Sequence, residues 1–303
     1  MAEHLRCYVP RSFQAASLET IGRANAILQE LGDQGYTLTL RQLYYQMVAR
    51  GMIENSDRQY DRLGSLVSDA RLAGLISWTA IEDRTRSLMG LVTHHSPGQF
   101  LSGAVAGYRR DLWESQDWRP EVWVEKEALA DVVGQVCNQL RVDFFACRGY
   151  VSQSEQWNAG RRLAGYISRG QRPIVFHLGD HDPSGIDMTR DNTDRLSMFA
   201  GVPVQVVRLA LNRDQVDRYQ PPPNPAKVTD SRFADYQRLH GDQSWELDAL
   251  SPRVIRDLIE GAVVRLRDPV RWEEALAEEA AEVQVLHDVV EELGPGGEPG
   301  EGS

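Results

Sequence analysis

Downstream of Pro120 the chain alternates short apolar runs with helical stretches, a pattern that few architectures accept. The runs are EVWVE, VDFFAC, PIVFHLG and VPVQVVRLA, all rich in Val, Ile and Phe, and the helical stretches between them lie near residues 126–140, 153–168 and 185–199. Runs this short and apolar suit strands buried on both faces, each crossover supplying a covering helix, so the pattern predicts an α/β fold with a mainly parallel sheet. Functional groups in such sheets tend to lie beyond the carboxyl ends of the strands. PPPNP at 221–225 then breaks the chain, helices are expected over about 250–292, and GPGGEPGEGS reads as a disordered end.

The first hundred residues follow a different period. Leu18, Ile21, Ala24, Ile27, Leu28 and Leu31 recur at helical spacing before the stop GDQG, a second helix is expected from near Thr39, and a third from about Asp57 to Ala73 behind the capping residues Asn55 and Ser56. GLISWTAIEDRTR follows as a strand-and-turn ribbon, and three helices with such a ribbon predict a winged helix-turn-helix. Arg58, Arg62 and Ser65 line the side of the third helix opposite Tyr60, Leu63, Val67 and Ala70, and are expected to face a DNA groove.

Charge sharpens this picture. The net charge of -11 comes from 33 basic and 44 acidic residues, and residues 272–303 hold ten of the acids and none of the cations. The remaining body is therefore nearly neutral, with an acidic appendage. Of the cations only Lys126 and Lys227 are lysine, the rest being arginine, whose planar fork suits phosphate. Cys7, Cys137 and Cys147 form no CxxC pair, so neither a disulfide framework nor structural zinc is expected. No apolar run is long enough for a membrane helix and the N-terminus lacks a secretory pattern, which points to the cytoplasm.

Two runs end in acids: Glu125 closes the first, and Asp180 follows the third, continuing into His181, Asp182, Pro183, Ser184 and Gly185. Carboxylates converging on one sheet edge repel one another, and a hard divalent cation relieves them. Mg²⁺, which takes few protein carboxylates plus substrate phosphate, is the expected cofactor at Glu125, Asp180 and Asp182.

The second helix offers a nucleophile. Leu40, Leu43, Tyr44, Met47 and Val48 form its apolar stripe, whereas Tyr45 lies off the stripe, one turn after Arg41, where phenol and guanidinium can meet one phosphate. Ionising an ordinary phenol at pH 7 costs about 4 kcal/mol, which Arg41 and a metal would have to offset.

TLRQLYYQ, VEKEAL, CRGY and GDHDPSGIDM, in that order, resemble the A subunit of topoisomerase VI and the related meiotic double-strand-break transesterase. The resemblance covers about residues 15–270. It implies a winged-helix domain bearing the tyrosine, over 1–119, and a Rossmann-like Toprim domain binding Mg²⁺, over 120–271, followed by a helix at 272–293 and a loose tail at 294–303. By the same resemblance Tyr45 matches the nucleophile, Arg41 the arginine before it, and Glu125, Asp180 and Asp182 the metal and acid-base residues. In that family the tyrosine of one subunit works with the metal of the other, which implies a homodimer acting on double-stranded DNA. The chain departs from the pattern after Gly149 and Tyr150, where Val151 and Ser152 replace Pro-Asp. It is also short, like the stand-alone mini-A type. No GxxxxGK[ST] surrounds Lys126 or Lys227, so ATP hydrolysis would need a separate ATPase subunit.

Three functions are therefore in view: Mg²⁺-dependent DNA cleavage by tyrosine transesterification, with Arg41 stabilising charge and Glu125 assisting proton transfer; a Toprim nuclease using metal-activated water; and a non-catalytic DNA-binding regulator.

Overall fold

A computed structural model describes residues 5–81 and 93–293. Three helices come first: α1 (Ala15–Gly32), α2 (Leu40–Ala49) and α3 (Asp57–Leu72). Each of the last two starts where a side chain can satisfy the free amides of the first turn. Thr39 and Gln42 form a reciprocal capping box on α2, and Ser56 Oγ accepts from Gln59 N on α3. The expected face of α1 is buried except for Leu18. Of the expected ribbon, Ile81 pairs with Leu38 in an isolated parallel bridge, and residues 82–86 lie outside the described residues. A further helix, α4 (Pro97–Gly107), follows where no element is expected from the sequence. Ser96 caps it, Pro97 opens it, and a later helix covers it.

The second part is built on β1 (Trp118–Val124), α5 (Ala130–Leu140), β2 (Asp143–Ala146), α6 (Gln153–Ser168), β3 (Arg172–Leu178), α7 (Pro183–Ala200) and β4 (Gln205–Ala210). The four strands are all parallel, in the order β2-β1-β3-β4, as the alternation predicts. Successive residues serve opposite faces: Val122, Val124, Ile174, Phe176 and Leu178 join one core, while Trp123 and Val175 join the other with Leu163 of α6 and Leu196 of α7. Burial on both faces explains why the strands read as unbroken apolar runs.

Beyond the sheet come α8 (Arg213–Tyr219), a small antiparallel ribbon of β5 (Pro223–Pro225) and β6 (Gln243–Trp245) flanking α9 (Phe233–His240), then α10 (Pro252–Val264) and α11 (Pro269–Leu293). α10 packs on α5, and α11 packs on α4. Trp272 of α11 meets Trp113 edge to face at 5.4 Å, with Arg267 lying 3.9 Å from the Trp272 ring centre. Arg110 and Arg141 bind Glu278, Glu279 and Glu282 of the same helix. Three acids of the appendage, Glu278, Glu279 and Glu282, are thus ion-paired to the body. The tail 294–303 lies outside the described residues, and among the described residues no helix is long and apolar enough to cross a membrane.

A candidate active site at the strand switch

The chain leaves β1 toward β2 and later returns to β3 on the other side, so strand order reverses between β1 and β3. Open parallel sheets hold their ligands in the crevice at such a point. Val124 stands opposite Leu178, and Glu125 N donates to Leu178 O at 2.8 Å, which puts Glu125 and the segment from Gly179 to Asp182 where the two strands part. Glu125 Oε2 accepts from Asp180 N at 2.9 Å. Asp182 caps α7 by accepting from Gly185 N at 2.6 Å. Gly185 is required there, because a Cβ would sit 2.2 Å from the Asp180 carbonyl oxygen. Arg208 of β4 clamps this loop, donating to the carbonyls of Gly179, Asp180 and Gly185, and burial pushes its own pKa down to about 10.

A third segment reaches the crevice through a two-way backbone pairing. His181 N donates to Trp245 O at 2.8 Å and Trp245 N to His181 O at 3.0 Å, which delivers Glu246, Leu247 and Asp248 to the sheet edge. Leu247 N then donates to Asp180 Oδ1 at 2.7 Å. Lys126 Nζ is shared among Asp180 Oδ2 at 3.0 Å, Asp248 Oδ1 at 3.1 Å and Glu246 Oε2. Burial opposes the charge on Lys126, but its three carboxylate partners outweigh it and hold its pKa above the ordinary value. Burial also raises the Asp180 carboxyl well above its usual range, against the pull of Lys126, and raises Glu125, where the charge of Asp182 adds to the effect.

The same turn covers α2. Arg41 Nη2 lies 3.1 Å from Glu246 Oε2 and its Nε lies 3.3 Å from Asp248 Oδ2. Arg41 Nη2 is also 3.4 Å from Tyr45 Oη. This corrects the expectation that Tyr45 lies off the buried stripe, since Tyr45 is 5% exposed and Tyr44 is 4% exposed. Helical periodicity finds only one apolar face, whereas α2 is buried twice: its second face packs on the turn at 247–249. The two phenols nevertheless differ. The Tyr44 hydroxyl is taken up by Asn55 and Ser56, whereas the described residues offer the Tyr45 hydroxyl only the Arg41 donor and no acceptor. Burial, then Glu246 and Asp248, push the Tyr45 pKa up to about 12, with Arg41 and Lys126 pulling the other way.

Tyr45, Arg41, Glu125, Asp180 and Asp182 line one cleft of about 440 Å³. The tyrosine and the acids therefore share a cleft within a single chain, unlike the arrangement across two subunits that the resemblance implies. As a Mg²⁺ site the three acids are unequal. Both oxygens of Asp180 are taken, by Lys126 and Leu247 N, and among the described residues no group of three or more His, Cys, Asp or Glu is disposed to hold a metal ion. Glu125 Oε1 has no hydrogen bond among those residues, and Asp182 Oδ2 has only the long one from Ser184 at 3.3 Å. Two carboxylates with oxygens to spare fit a Mg²⁺ that keeps most of its water and takes substrate phosphate. Asp180 fits a supporting place behind them.

Arg58 and Arg62 do not join this cleft; both are exposed on α3, and Arg62 lines a separate groove between α1 and α3. Sequence reasoning misses Lys126, Arg208, Glu246 and Asp248 as members of the site. For Arg208 a signal exists, since an arginine inside the apolar run VVRLA needs buried partners. No protein-family model matches this chain, and a comparison with curated proteins finds no match.

Proposed function

We propose that this chain is a Mg²⁺-dependent DNA strand-cleaving enzyme in which Tyr45 attacks a backbone phosphate, with a winged-helix arrangement of α1–α3 presenting DNA to a Toprim-type sheet. The observation that carries the reading is the shared cleft. A phenol hydroxyl without an acceptor, a guanidinium beside it and two carboxylates with free oxygens all line it. In the reaction the Tyr45 phenol loses its proton to water, and its Oη–phosphorus bond forms as the bond from phosphorus to the 3′ oxygen breaks, giving a phosphotyrosyl link and, once that oxygen is protonated, a 3′ hydroxyl. Arg41 stabilises the charge developing on the phenol oxygen and phosphate. Glu125, in the wall of the same cleft, would assist proton transfer to the departing 3′ oxygen. Mg²⁺ held by Glu125 and Asp182 would supply Lewis-acid stabilisation of the phosphate. In the homodimer that the family resemblance implies, each subunit would carry a complete site, and two subunits would give two nicks or one staggered break.

One observation favours a second reading. Ionising at pH 7 a phenol raised to about 12 costs about 7 kcal/mol. A nuclease that activates water at Glu125 and Asp182 avoids that cost. Incubation of supercoiled DNA with protein and Mg²⁺, followed by denaturing gels with and without protease, separates the two. Protein-linked nicks that vanish in Tyr45→Phe support transesterification; free nicks unaffected by Tyr45→Phe support hydrolysis and rule out the tyrosine.

A further inference from the structure

We propose that the cleft takes an unpaired DNA strand, one nucleotide deep, with the Tyr60 ring carrying a base and Lys227 meeting a flanking phosphate. The inference deepens the reading of the cleft as a phosphodiester site and rests on it for the position of the reacting phosphate. A cleft of about 440 Å³ is on the scale of a small ligand rather than a double helix. It is also bridged on two sides. Arg41 reaches Glu246 on one, and on the other Asn55 Nδ2 donates to Asn224 Oδ1 at 2.5 Å and to Pro223 O at 3.3 Å. The buried Tyr45 hydroxyl lies within these walls, so a phosphate must enter the recess to meet it. A paired strand can do this only by leaving its stack, at a cost that is least for a strand already unpaired.

The lining supports the same choice. Its carboxylates, Glu125, Asp180, Asp182, Glu246 and Asp57, outnumber its cations, Arg41 and Lys227. Arg41 is already shared by two acids, whereas Lys227 is exposed and makes no ion pair or side-chain hydrogen bond among the described residues. Lys227 is therefore the cation available to an entering phosphate. Single strands also bind by stacking bases on aromatic rings. Tyr60, half-buried in the lining, is held edge to face against Tyr44 at 5.3 Å, which fixes it as a platform.

The test uses full-length Tyr45→Phe protein with Mg²⁺ and a fluorescein-labelled deoxyoligonucleotide, as single strand and as the fully paired duplex, read by anisotropy. Adding Tyr60→Leu is expected to weaken single-strand binding about ten-fold, and Lys227→Ala several-fold, with duplex binding little changed. Tyr60→Phe keeps the ring and should bind like its parent, which separates stacking from any loss of fold. Unchanged single-strand binding in both Tyr60→Leu and Lys227→Ala, or equal losses for the duplex, would overturn the proposal. The covalent assay is independent of it. Protein-linked nicks together with equal losses sink the unpaired-strand proposal alone, and ring-dependent single-strand binding without any adduct in the wild type sinks the tyrosine reading alone.

Discussion

Arg41 and Asp248 meet across the seam between the N-terminal helices and the sheet, with guanidinium Nε 3.3 Å from a carboxylate whose side chain has no solvent exposure. Lys126 holds the other oxygen of Asp248, so two cations from separate parts of the chain share one buried acid. Removing one member of a buried ion cluster costs more than the cluster contributes, because the partners stay buried and unpaired. Lys126→Met, which strands Asp180, Glu246 and Asp248 together, should lose about 3–5 kcal/mol in urea unfolding. Asp248→Asn should lose less, since an amide oxygen can still accept from Lys126. A Lys126→Met protein as stable as wild type would show that the cluster contributes nothing to the fold.

Metal binding should divide the three acids. With both Asp180 oxygens taken, Glu125→Gln and Asp182→Asn are expected to weaken Mg²⁺ or Mn²⁺ binding in calorimetry by about ten-fold or more, since each replaces an anionic carboxylate with a neutral amide, a weaker ligand for a hard cation. Asn is also a good helix cap, so Asp182→Asn should preserve α7. Asp180→Asn should instead show in the melt more than in the titration. The reverse ranking would make Asp180 a direct ligand.

Arg58 and Arg62 are exposed on α3 and have no ion pair among the described residues. Reversing both charges should weaken duplex binding at low salt and flatten its salt dependence by about 0.9 in log–log slope for each phosphate that is no longer neutralised. An unchanged slope would remove α3 from the duplex interface.

Much of this architecture is legible without coordinates, and the rest is hidden for identifiable reasons. Unbroken apolar runs mark β1 and β3, and Ser56 announces the helix it caps, because these signals are local. Arg41 and Tyr45 lie one turn apart, so their meeting can be read from helical spacing. Glu246, Asp248 and Lys126 cannot be read that way: Arg41 and Glu246 are 205 residues apart, and nothing in the local pattern around WELD distinguishes a site residue from a solvated acid. The burial of Tyr45 is hidden for the same reason, since its cover comes from that distant turn.

The helix α11 should prove structural. Trp272 is buried against Trp113 and Arg267, so Trp272→Ala is expected to cost about 3–5 kcal/mol, and truncation after residue 271 should lower the melting temperature further. Removal of 294–303 should leave the melt unchanged and raise DNA affinity slightly, through loss of Glu298 and Glu301. Thermal melting and gel filtration of the two truncations check this, and an unaltered melt after the longer cut would contradict it.

Acid should destabilise the protein partly through His177. Burial, aided by Arg208, brings its folded pKa down to about 3 from the ordinary value of 6.5. Above pH 6.5 both folded and unfolded forms are neutral and its contribution is complete. Below that only the unfolded chain takes up the proton, so stability falls by about 1.4 kcal/mol per pH unit until about pH 3. Comparing urea unfolding of wild type and His177→Gln at neutral and mildly acid pH isolates this share; parallel losses in both proteins would assign the acid sensitivity elsewhere.

The distance along the chain between Arg41 and Glu246 also sets an order of events during synthesis. Helices α1–α3 can form early from local contacts, but the turn that shelters Tyr45 is made only after about four-fifths of the chain has emerged, and contacts of such long separation form late. A nascent or truncated chain would therefore carry the tyrosine helix with one face bare and its arginine unpaired. The cleft and its charge network come into being together, near the end of folding, so an incompletely made protein has a phenol but no site in which to use it.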